Sequence, residues 1–218
     1  MTPTAFAFFD FDDTIAKGDS IFPYLLYCIK RGIAPKRQLL TAAYGFLRWK
    51  IQPSSGRKVK EMSLSFLKGR SVEEMDAIAR DFFRDVQMKA VYGAASRELF
   101  HLRSQGTKIV IVSASSDAYM HVLTEFLPVD AVISTVCELQ DGRYTGKMGK
   151  NCKGDEKVRR IEAWLKAQGL SIDKERSAGY GDSPSDAPML LLTAHPTLVN
   201  PKRKLVEAIP DGRVVRWR

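Results

Sequence analysis

The chain has 218 residues, of which 44% are hydrophobic, and its formal net charge is +9. This length suits one large domain, or a domain with a small insert, built around a full hydrophobic core. No uncharged apolar run reaches the roughly 18 residues that a membrane span requires, and residues 1–9 lack the basic start and cleavage site of a signal peptide. Three scattered cysteines, Cys28, Cys137 and Cys152, argue against a disulfide framework or structural zinc site, so we expect a cytoplasmic location.

The positive charge is concentrated in one segment. Residues 20–90 carry 14 basic and 6 acidic side chains, a net +8, whereas the rest of the chain carries 20 and 19, a net +1. Such a segment attracts phosphates, nucleic acid or an anionic membrane surface, or it presents solvated helix faces. No nucleic-acid-binding motif accompanies the charge, so we expect no nucleic-acid partner.

The chain begins with an apolar run, residues 5–9, that leads into Asp10, Asp12 and Asp13. The run is typical of a buried strand, and open α/β sheets bind ligands beyond the carboxyl ends of their strands. Asp10 and Asp12 are two residues apart and point to the same side of an extended chain. Two close carboxylates favour a metal ion, although an Asp-x-Asp pattern alone is weak.

Residues 20–90 predict helices at about 20–31, 36–50, 57–69 and 71–90, with breaks at 32–35 and 52–56. The first two helices are rich in large apolar side chains. Most of these are predicted to form the core of a small helical bundle, and a minority to line a pocket or touch lipid: Phe22, Tyr24, Leu25, Leu26, Tyr27, Leu39, Leu40, Tyr44, Phe46, Leu47 and Trp49.

From about residue 91 helices and strands alternate. The pattern predicts helices at about 92–105, 117–127, 154–169, 186–193 and 202–209, strands at 108–112, 131–134, 177–180, 197–199 and 213–217, and a hairpin turn at Asp141-Gly142. Alternation of this kind indicates a parallel sheet with helices on both faces. We therefore predict an α/β core of residues 1–17 and 91–218, with residues 18–90 inserted as a helical cap over the strand ends.

Polar residues follow the predicted strands, and Lys153 precedes a helix. The candidates are Asp10 and Asp12, Ser113, Lys153, and Asp182 with Asp186. Carboxylates can hold Mg²⁺ or attack phosphorus, and a lysine and a hydroxyl can hold phosphoryl oxygens. This set of groups is what phosphoryl transfer requires.

These residues resemble the four motifs of the haloacid dehalogenase-like (HAD) phosphatase superfamily, subfamily I with a helical cap. Residues 10–14 read Asp-x-Asp-x-Thr, Ser113 follows Ile-Val-Ile-Val, Lys153 stands before a glycine, and residues 181–186 read Gly-Asp-x-x-x-Asp. The resemblance covers nearly the whole chain. It implies a Rossmann-like parallel-sheet core with an inserted α-helical cap of the C1 type.

The resemblance also implies a role for each motif residue. Asp10 is implied to be the nucleophile and a Mg²⁺ ligand, and Asp12 the general acid/base that binds Mg²⁺ through its backbone carbonyl. Ser113 and Lys153 are implied to hold the phosphoryl group, with Lys153 neutralising Asp10. Asp182 is implied to ligate Mg²⁺ directly, and Asp186 to serve the metal from its surroundings or through water.

Within the superfamily the chain is similar to phosphoserine phosphatases, with three departures among the predicted substrate-binding residues. Asp19 stands where those enzymes carry a glutamate that meets the substrate amine, Ala114 replaces a glycine whose backbone meets phosphate, and Ser185 replaces an asparagine. The first motif is also similar to a bacterial subgroup that includes phosphatidylglycerophosphate phosphatases. The resemblance therefore leaves the substrate less defined than the reaction.

The resulting hypothesis is a Mg²⁺-dependent phosphomonoester hydrolase that works through an aspartyl-phosphate on a small phosphorylated metabolite such as phosphoserine. One alternative is a lipid phosphatase of the phosphatidylglycerophosphate type, with peripheral membrane contact through the basic cap. A phosphotransferase with an alcohol acceptor would share the first half-reaction. The non-enzymatic alternative is a binding module on the same fold, which is disfavoured because every motif residue is retained.

Overall fold

The computed structural model describes residues 1–52 and 56–218, with the side chains of residues 49 and 50 left out of the description. The described strands are β1 (Thr2–Thr4), β2 (Phe6–Phe9), β3 (Lys108–Ser116), β4 (Ala131–Thr135), β5 (Cys137–Gln140), β6 (Arg143–Met148), β7 (Leu170–Ile172), β8 (Ala178–Gly181), β9 (His195–Val199) and β10 (Arg213–Val215). The described helices are α1 (Ile21–Lys30), α2 (Gln38–Ile51), α3 (Gly56–Ser63), α4 (Val72–Asp85), α5 (Gly93–Ser104), α6 (Asp117–Met120), α7 (Asp155–Ala167), α8 (Ala187–Leu190) and α9 (Arg203–Ala208). Short 3-10 turns occupy Ser65–Leu67, Gln87–Ala90, His121–Glu125, Lys174–Arg176 and Pro184–Asp186.

A six-stranded parallel sheet organises the chain, in the order β10-β9-β8-β2-β3-β4. All four residues of its central strand β2 are buried. Since alternate residues of a strand point to opposite sides, the sheet is covered on both faces at this strand. Phe6 and Phe8 pack in a cluster that includes Ile161 of α7. Phe9 packs in the larger cluster on the other face, which extends into the helices that follow β2. The predicted α/β fold with a parallel sheet is confirmed.

The strand order places a crevice where a binding site is expected. The chain moves from β2 to β3 on one side, and it later returns to β8 on the other side of β2. At such a switch point the loops leave the carboxyl ends of the strands in opposite directions and open a crevice. The loops after β2 and β8 and the end of β3 therefore meet at one place.

Helices α1–α4 form an insert between β2 and α5, and its two connections to the core lie side by side. Ala16 forms an antiparallel bridge with Val91. The Lys17 amide donates to the Ala90 carbonyl at 2.9 Å, and the Tyr92 amide donates to the Ile15 carbonyl at 2.9 Å. The chain thus enters and leaves the insert through one paired crossing, close to the predicted boundaries at 17/18 and 90/91, which stay a prediction.

The β5–β6 hairpin, predicted from Asp141-Gly142, leaves the core sheet and pairs with the insert. The Gly69 amide donates to the Tyr144 carbonyl at 2.8 Å, and the Tyr144 amide donates to the Arg70 carbonyl at 3.0 Å.

The two-stranded parallel pair of β1 and β7 was not predicted from the sequence. Each of these strands has three residues, too few for a hydrophobic alternation to be recognised.

The prediction that most large apolar residues of α1 and α2 form core is wrong for much of α2. Tyr24, Leu25 and Tyr27 of α1 are buried, as predicted. Of the large side chains named in that prediction, the exposed ones are Phe22 of α1 and Leu40, Tyr44, Phe46 and Leu47 of α2. The helix is placed with its small residues against the protein, an orientation that composition alone does not reveal. The side chain of Trp49 and residues 53–55 of the break predicted at 52–56 lie outside the described residues.

Among the described residues no helix combines the length and the apolar character needed to cross a membrane.

Candidate active site

The two acids after β2 are held by different partners. The Asp10 amide donates to the Tyr180 carbonyl at 2.9 Å, which extends the β2–β8 pairing by one residue and keeps the Asp10 side chain buried. The Asp12 carboxylate accepts hydrogen bonds from the Ser20 amide at 2.8 Å and from the Ser115 hydroxyl at 2.5 Å. Asp10 is therefore placed by the sheet, whereas Asp12 is oriented by β3 and by the start of the insert.

A buried lysine contacts Asp10, and it is not the one predicted. Lys157 Nζ lies 2.6 Å from Asp10 Oδ1 and 2.7 Å from Asp186 Oδ1, and its side chain is 1% exposed. Lys153 is exposed and precedes Gly154, whose positive φ of 62° comes just before α7 begins. The prediction that Lys153 neutralises Asp10 is therefore wrong, because the ammonium group that reaches the carboxylate comes from one helical turn further on.

The sequence does contain a signal for Lys157. Lys157, Ile161 and Leu165 recur at a spacing of four residues, and all three are buried on the face of α7 that packs against the sheet. A lysine on the apolar stripe of an amphipathic helix must bury its ammonium group, and a buried ammonium group requires carboxylate partners. Periodicity thus distinguishes Lys157 from Lys153, whereas a short motif does not.

Two further carboxylates follow β8. Asp182 Oδ2 lies 2.5 Å from Lys202 Nζ. Asp186 accepts from the amide of Ser183 at 3.1 Å and from its hydroxyl at 2.8 Å, in a capping box at the turn before α8. Asp10, Asp182 and Asp186 each bring a carboxylate oxygen within 4.8 Å of the others, and all three are buried. Carboxylates from two strand ends thus converge as predicted.

Burial and mutual repulsion set the charge state of this cluster. Burial raises the pKa of Asp10 to about 8, and Lys157 opposes this shift while Asp186 and Asp12 add to it. Burial also raises the pKa of Asp182, against the effect of Lys202. For Asp186 burial acts in the same direction, but the ammonium group of Lys157 overcomes it and lowers the pKa. Three buried carboxylates facing two ammonium groups favour an additional cation.

The environment of Asp12 suits proton transfer. Burial and the neighbouring Asp19 carboxylate raise the pKa of Asp12 to about 6, although the hydrogen bonds from Ser115 and Ser20 oppose the shift. The Ser20 hydroxyl in turn lies 3.1 Å from both the Ser115 hydroxyl and the Tyr119 hydroxyl, so the orienting groups are themselves fixed. An acid with a pKa near neutrality can both give and take a proton at physiological pH.

The end of β3 supplies Ser113 and a contact with the insert. Ser113 is buried, and its hydroxyl oxygen accepts from the Ser115 amide at 3.0 Å. Lys60 of α3 donates from Nζ to the Ala114 carbonyl and, at 2.8 Å, to Asn151 Oδ1. Burial lowers the pKa of Lys60 to about 8, against the attraction of the Asp19 and Asp12 carboxylates. The insert therefore places one cation at the mouth of the site.

The sequence model of the haloacid dehalogenase-like hydrolases matches residues 7–191. The chain belongs to the haloacid dehalogenase-like hydrolases. This family segment runs from within β2 into the residue after α8, so it includes the insert and every acid of the cluster.

Three relatives illustrate the similarity of this HAD-like hydrolase to known proteins. A phosphoserine phosphatase of Mycobacterium tuberculosis is 26% identical over 93% of this chain and 67% of its own length. A histidinol-phosphatase of Neisseria meningitidis is 25% identical over 91% of both chains. A solved structure from Bordetella pertussis, of a protein described as having unknown function, has a TM-score of 0.86 and 25% identity over 98% of this chain and 99% of its own. Family membership and the phosphatase names of the relatives identify the HAD-like hydrolase as an enzyme of the phosphatase type.

The structure brings together most of the residues predicted for this HAD-like site. Asp10, Asp182 and Asp186 form the carboxylate cluster. Ser113 lies in β3, two residues before the serine that holds Asp12. At the periphery, Asp19 is exposed and accepts from the Ile21 amide at 2.9 Å, and the Ser185 hydroxyl lies 2.7 Å from that of Ser183.

Sequence reasoning missed several residues that complete the site. The supporting groups are Ser20, Lys60, Ser115, Asn151 and Lys202. Ser20 and Ser115 are 95 positions apart and meet only when the insert folds over β3. Tertiary contacts of this kind leave no local pattern, in contrast to the stripe that marks Lys157.

Proposed function

We propose that the protein is a Mg²⁺-dependent phosphomonoester hydrolase that works through a phosphoryl group carried on Asp10. The observation that supports this most directly is the pairing of the buried Asp10 carboxylate with Lys157 at 2.6 Å, next to a separate acid, Asp12, with different partners. Two neighbouring carboxylates in unlike environments can take unlike roles, one as nucleophile and one as acid and base.

The donor set fits Mg²⁺. The buried oxygens of Asp10, Asp182 and Asp186 are hard anionic ligands, and Mg²⁺ binds through one or two carboxylates together with phosphate oxygens and water. Asp10 and Asp182 are proposed as ligands, with the Asp12 carbonyl as a third and Asp186 as a supporting acid. When bound, the ion would neutralise carboxylate charge and shield the phosphate from the anionic cluster.

The residues then divide the reaction between them. An Asp10 carboxylate oxygen attacks phosphorus and forms an acyl phosphate, while the bond to the leaving oxygen breaks and Asp12 donates its proton to that oxygen. Water next attacks the phosphoryl group, Asp12 takes a proton from it, and Asp10 is released together with inorganic phosphate. Lys157 and Ser113 are proposed to hold the phosphoryl oxygens as negative charge develops. Lys153, at the mouth, is kept only as a proposed outer contact.

The test is turnover of a generic aryl phosphate. Chelation of divalent ions should abolish it, Mg²⁺ should restore it, and Ca²⁺ should inhibit because it coordinates carboxylates more loosely. Asp10→Asn should abolish turnover, whereas Asp13→Asn should leave most of it, since Asp13 accepts the Gly18 amide in the turn and does not belong to the cluster of Asp10, Asp182 and Asp186. Full activity in a clean Asp10→Asn preparation would overturn the proposed nucleophile.

For the substrate we propose a small phosphate ester of a 2-amino alcohol. The M. tuberculosis and N. meningitidis relatives are named for phosphoserine and histidinol phosphate, and both compounds carry an ammonium group two carbons from the ester oxygen. In this chain the Asp19 carboxylate lies close enough to Asp12 and Lys60 to affect both their pKa values, so it stands at the mouth of the site. An exposed carboxylate there can pair with such an ammonium group.

A substrate panel tests this proposal separately from the chemistry. We expect phosphoserine, histidinol phosphate and phosphoethanolamine to be hydrolysed with higher kcat/KM than glycerol phosphate. Asp19→Asn should remove that preference while most aryl phosphate turnover is retained, although the pKa of Asp12 loses the contribution of Asp19. If glycerol phosphate is preferred and Asp19→Asn changes nothing, the amino-alcohol proposal fails while the hydrolase proposal stands.

A lipid phosphate is the second candidate, favoured by the basic insert and by the exposed apolar side chains of α2. The same panel should therefore include phosphatidylglycerophosphate in vesicles. Hydrolysis faster than that of every soluble ester would favour this candidate. The non-catalytic module is not proposed, because the clustered carboxylates are retained and Asp10 is paired with a buried lysine.

A further inference from the structure

Helix α2 exposes its large side chains. Leu40, Tyr44, Leu47 and Ile51 are 76%, 56%, 58% and 79% exposed. Their spacing of four, three and four residues places all of them on one stripe along a helix about 21 Å long. Scattered single exposures are ordinary on protein surfaces, but an aligned row of four large apolar side chains marks an interaction surface.

The opposite face of α2 explains why the stripe points outward. Gln38, Ala42 and Gly45 are buried on the side that packs against the insert. At Gly45 the approach is close, because a Cβ added there would lie 3.3 Å from Val59 Cγ1 of α3. A small residue is thus required at position 45. Folding of this chain does not use the apolar stripe, so its burial is available to a partner.

The segment that contains the stripe is strongly basic, with Glu61 as the acid beside Arg48 and Lys58. Residues 20–60 contain nine Lys and Arg and no Asp or Glu, so this segment accounts for the whole net charge of +9. Arg37, Arg48 and Lys58 are exposed next to the stripe or on the adjoining helix α3. A partner for this face must therefore accept apolar side chains and offer negative charge beside them.

From this combination we infer that α2 is a docking surface for an anionic lipid bilayer. A helix with a row of leucines on one face and basic residues beside it lies in the membrane interface, with its apolar side chains in the acyl boundary and its cations near the headgroups. Tyr44 suits this position, since aromatic residues with a polar tip concentrate at the interface. The helix would lie on the membrane rather than cross it.

Charge complementarity selects this occupant over a second copy of the chain. A symmetric dimer through α2 would bring two clusters of the same sign together, and like charges in contact oppose association. An anionic bilayer supplies both the apolar layer and the countercharge. Helix α3 contacts α2 through Val59 and reaches the catalytic site through Lys60, so a bilayer at α2 would lie one helix away from the site.

The experiment is co-sedimentation of the full chain with vesicles, at low and high salt. One vesicle contains equal parts of phosphatidylglycerol and phosphatidylcholine, and the other contains phosphatidylcholine alone. We expect binding to the anionic vesicles that weakens with salt, and much weaker binding to the zwitterionic ones. The double variant Leu40→Ser, Leu47→Ser should lower the partition coefficient by at least about ten-fold. The matched control is Phe100→Ser on α5, since Phe100 is 64% exposed.

Each outcome decides the question. No binding of the unmodified chain to anionic vesicles at low salt overturns the inference, as does equal binding by the double variant. Dimers that the double variant dissociates would identify the stripe as a self-association surface instead. The inference is independent of the proposed function: aryl phosphate turnover should be the same in the double variant and the unmodified chain. Vesicle binding by an unmodified chain that shows no aryl phosphate turnover would count against the hydrolase proposal alone.

Discussion

At the scale of single residues, the site depends on which lysine reaches Asp10. Lys157 contacts two carboxylates from within the core, whereas Lys153 is exposed at the turn before α7. We predict that Lys157→Met lowers kcat for an aryl phosphate by at least about 10²–10³-fold, the usual cost of removing one group that stabilises developing charge. Lys153→Met should affect kcat far less, with its larger effect on KM.

The two variants are matched controls, because each removes one ammonium group and keeps the side-chain stem. Far-ultraviolet circular dichroism checks that Lys157→Met is folded, since the change leaves Asp10 and Asp186 facing each other without their shared cation. Greater loss of kcat in Lys153→Met than in folded Lys157→Met would contradict this assignment.

The acids can be predicted from their positions after the strands, whereas the lysine can be predicted only from the buried face of a helix. Asp10 and Asp182 stand directly after buried strands, and the carboxyl edge of a parallel sheet places such residues together whatever the helices do. Which lysine faces the sheet depends on how α7 is rotated about its axis. Lys153 and Lys157 are about one helical turn apart in sequence, and the buried row of Lys157, Ile161 and Leu165 shows which side of α7 faces the sheet.

At the scale of elements, the loop after β8 holds its acids through close packing. A Cβ added at Gly181 would lie 2.7 Å from the Asp186 Cβ, and one at Gly179 would lie 2.9 Å from the Leu190 Cα. We predict that Gly181→Ala displaces Asp186 and raises the Mg²⁺ concentration for half-maximal activity by about ten-fold, as expected for loss of a supporting contact.

Gly179→Ala is the control for Gly181→Ala. It presses on the backbone of α8 and should cost about 1–3 kcal/mol of unfolding free energy without altering the Mg²⁺ requirement. Magnesium titrations of the hydrolysis rate, together with thermal unfolding of both variants, separate the two effects. Equal Mg²⁺ dependence in both would show that Asp186 does not support the metal.

Helix α7 is anchored by an ion cluster in its first turn. Glu156 is buried, Arg160 pairs with it at 2.9 Å, and Arg160 also donates to the Lys150 carbonyl at 2.6 Å. This arrangement ties the loop before α7 to the helix that carries Lys157. We predict that Glu156→Gln lowers the unfolding free energy by about 2 kcal/mol, seen as a fall of roughly 5 °C in Tm.

The stabilisation by Glu156 should depend on pH. Hydrogen bonds from Arg159, Arg160 and Lys150 hold the pKa of Glu156 well below its ordinary value of 4.5, since together they outweigh the effect of burial. A carboxyl group whose pKa is lower in the folded protein than in the unfolded chain stabilises the fold fully at pH values above its unfolded pKa. This stabilisation is lost as the pH falls from the unfolded pKa toward the lower folded pKa. Chemical denaturation should therefore show a constant difference between Glu156→Gln and the unmodified chain near neutrality, shrinking below about pH 4.5.

Glu207→Gln provides the comparison, because the Arg203–Glu207 pair is exposed and such pairs contribute about 0–1 kcal/mol. If the two glutamate variants have the same stability at every pH, the buried ion cluster does not anchor α7.

At the scale of the whole molecule, the insert and the core meet through polar contacts at several places, such as Arg80 with Glu125, and two of the contacts lie at the active site. Lys60 joins α3 to the end of β3 and to Asn151, and Ser20 joins the start of α1 to Asp12. The paired crossing at Ala16 and Val91 leaves the connection narrow. We therefore expect the insert to close over bound phosphate through these contacts. The same closure would bring the insert residues that select the substrate next to the catalytic residues.

Lys60 is the contact that tests this view, because its ammonium group is largely desolvated and its carbonyl and amide partners belong to the core. We predict that Lys60→Met shifts the insert toward open states and increases hydrogen exchange in α3 and in the β5–β6 hairpin by about ten-fold, as expected when charge-assisted hydrogen bonds worth 1.5–3 kcal/mol are lost. Exchange in β2 and β8 should be unchanged. Lys58→Met, which alters an exposed residue of the same helix, is the control. If α3 exchanges equally fast in both variants, Lys60 does not hold the insert closed, and its role would be limited to meeting the substrate.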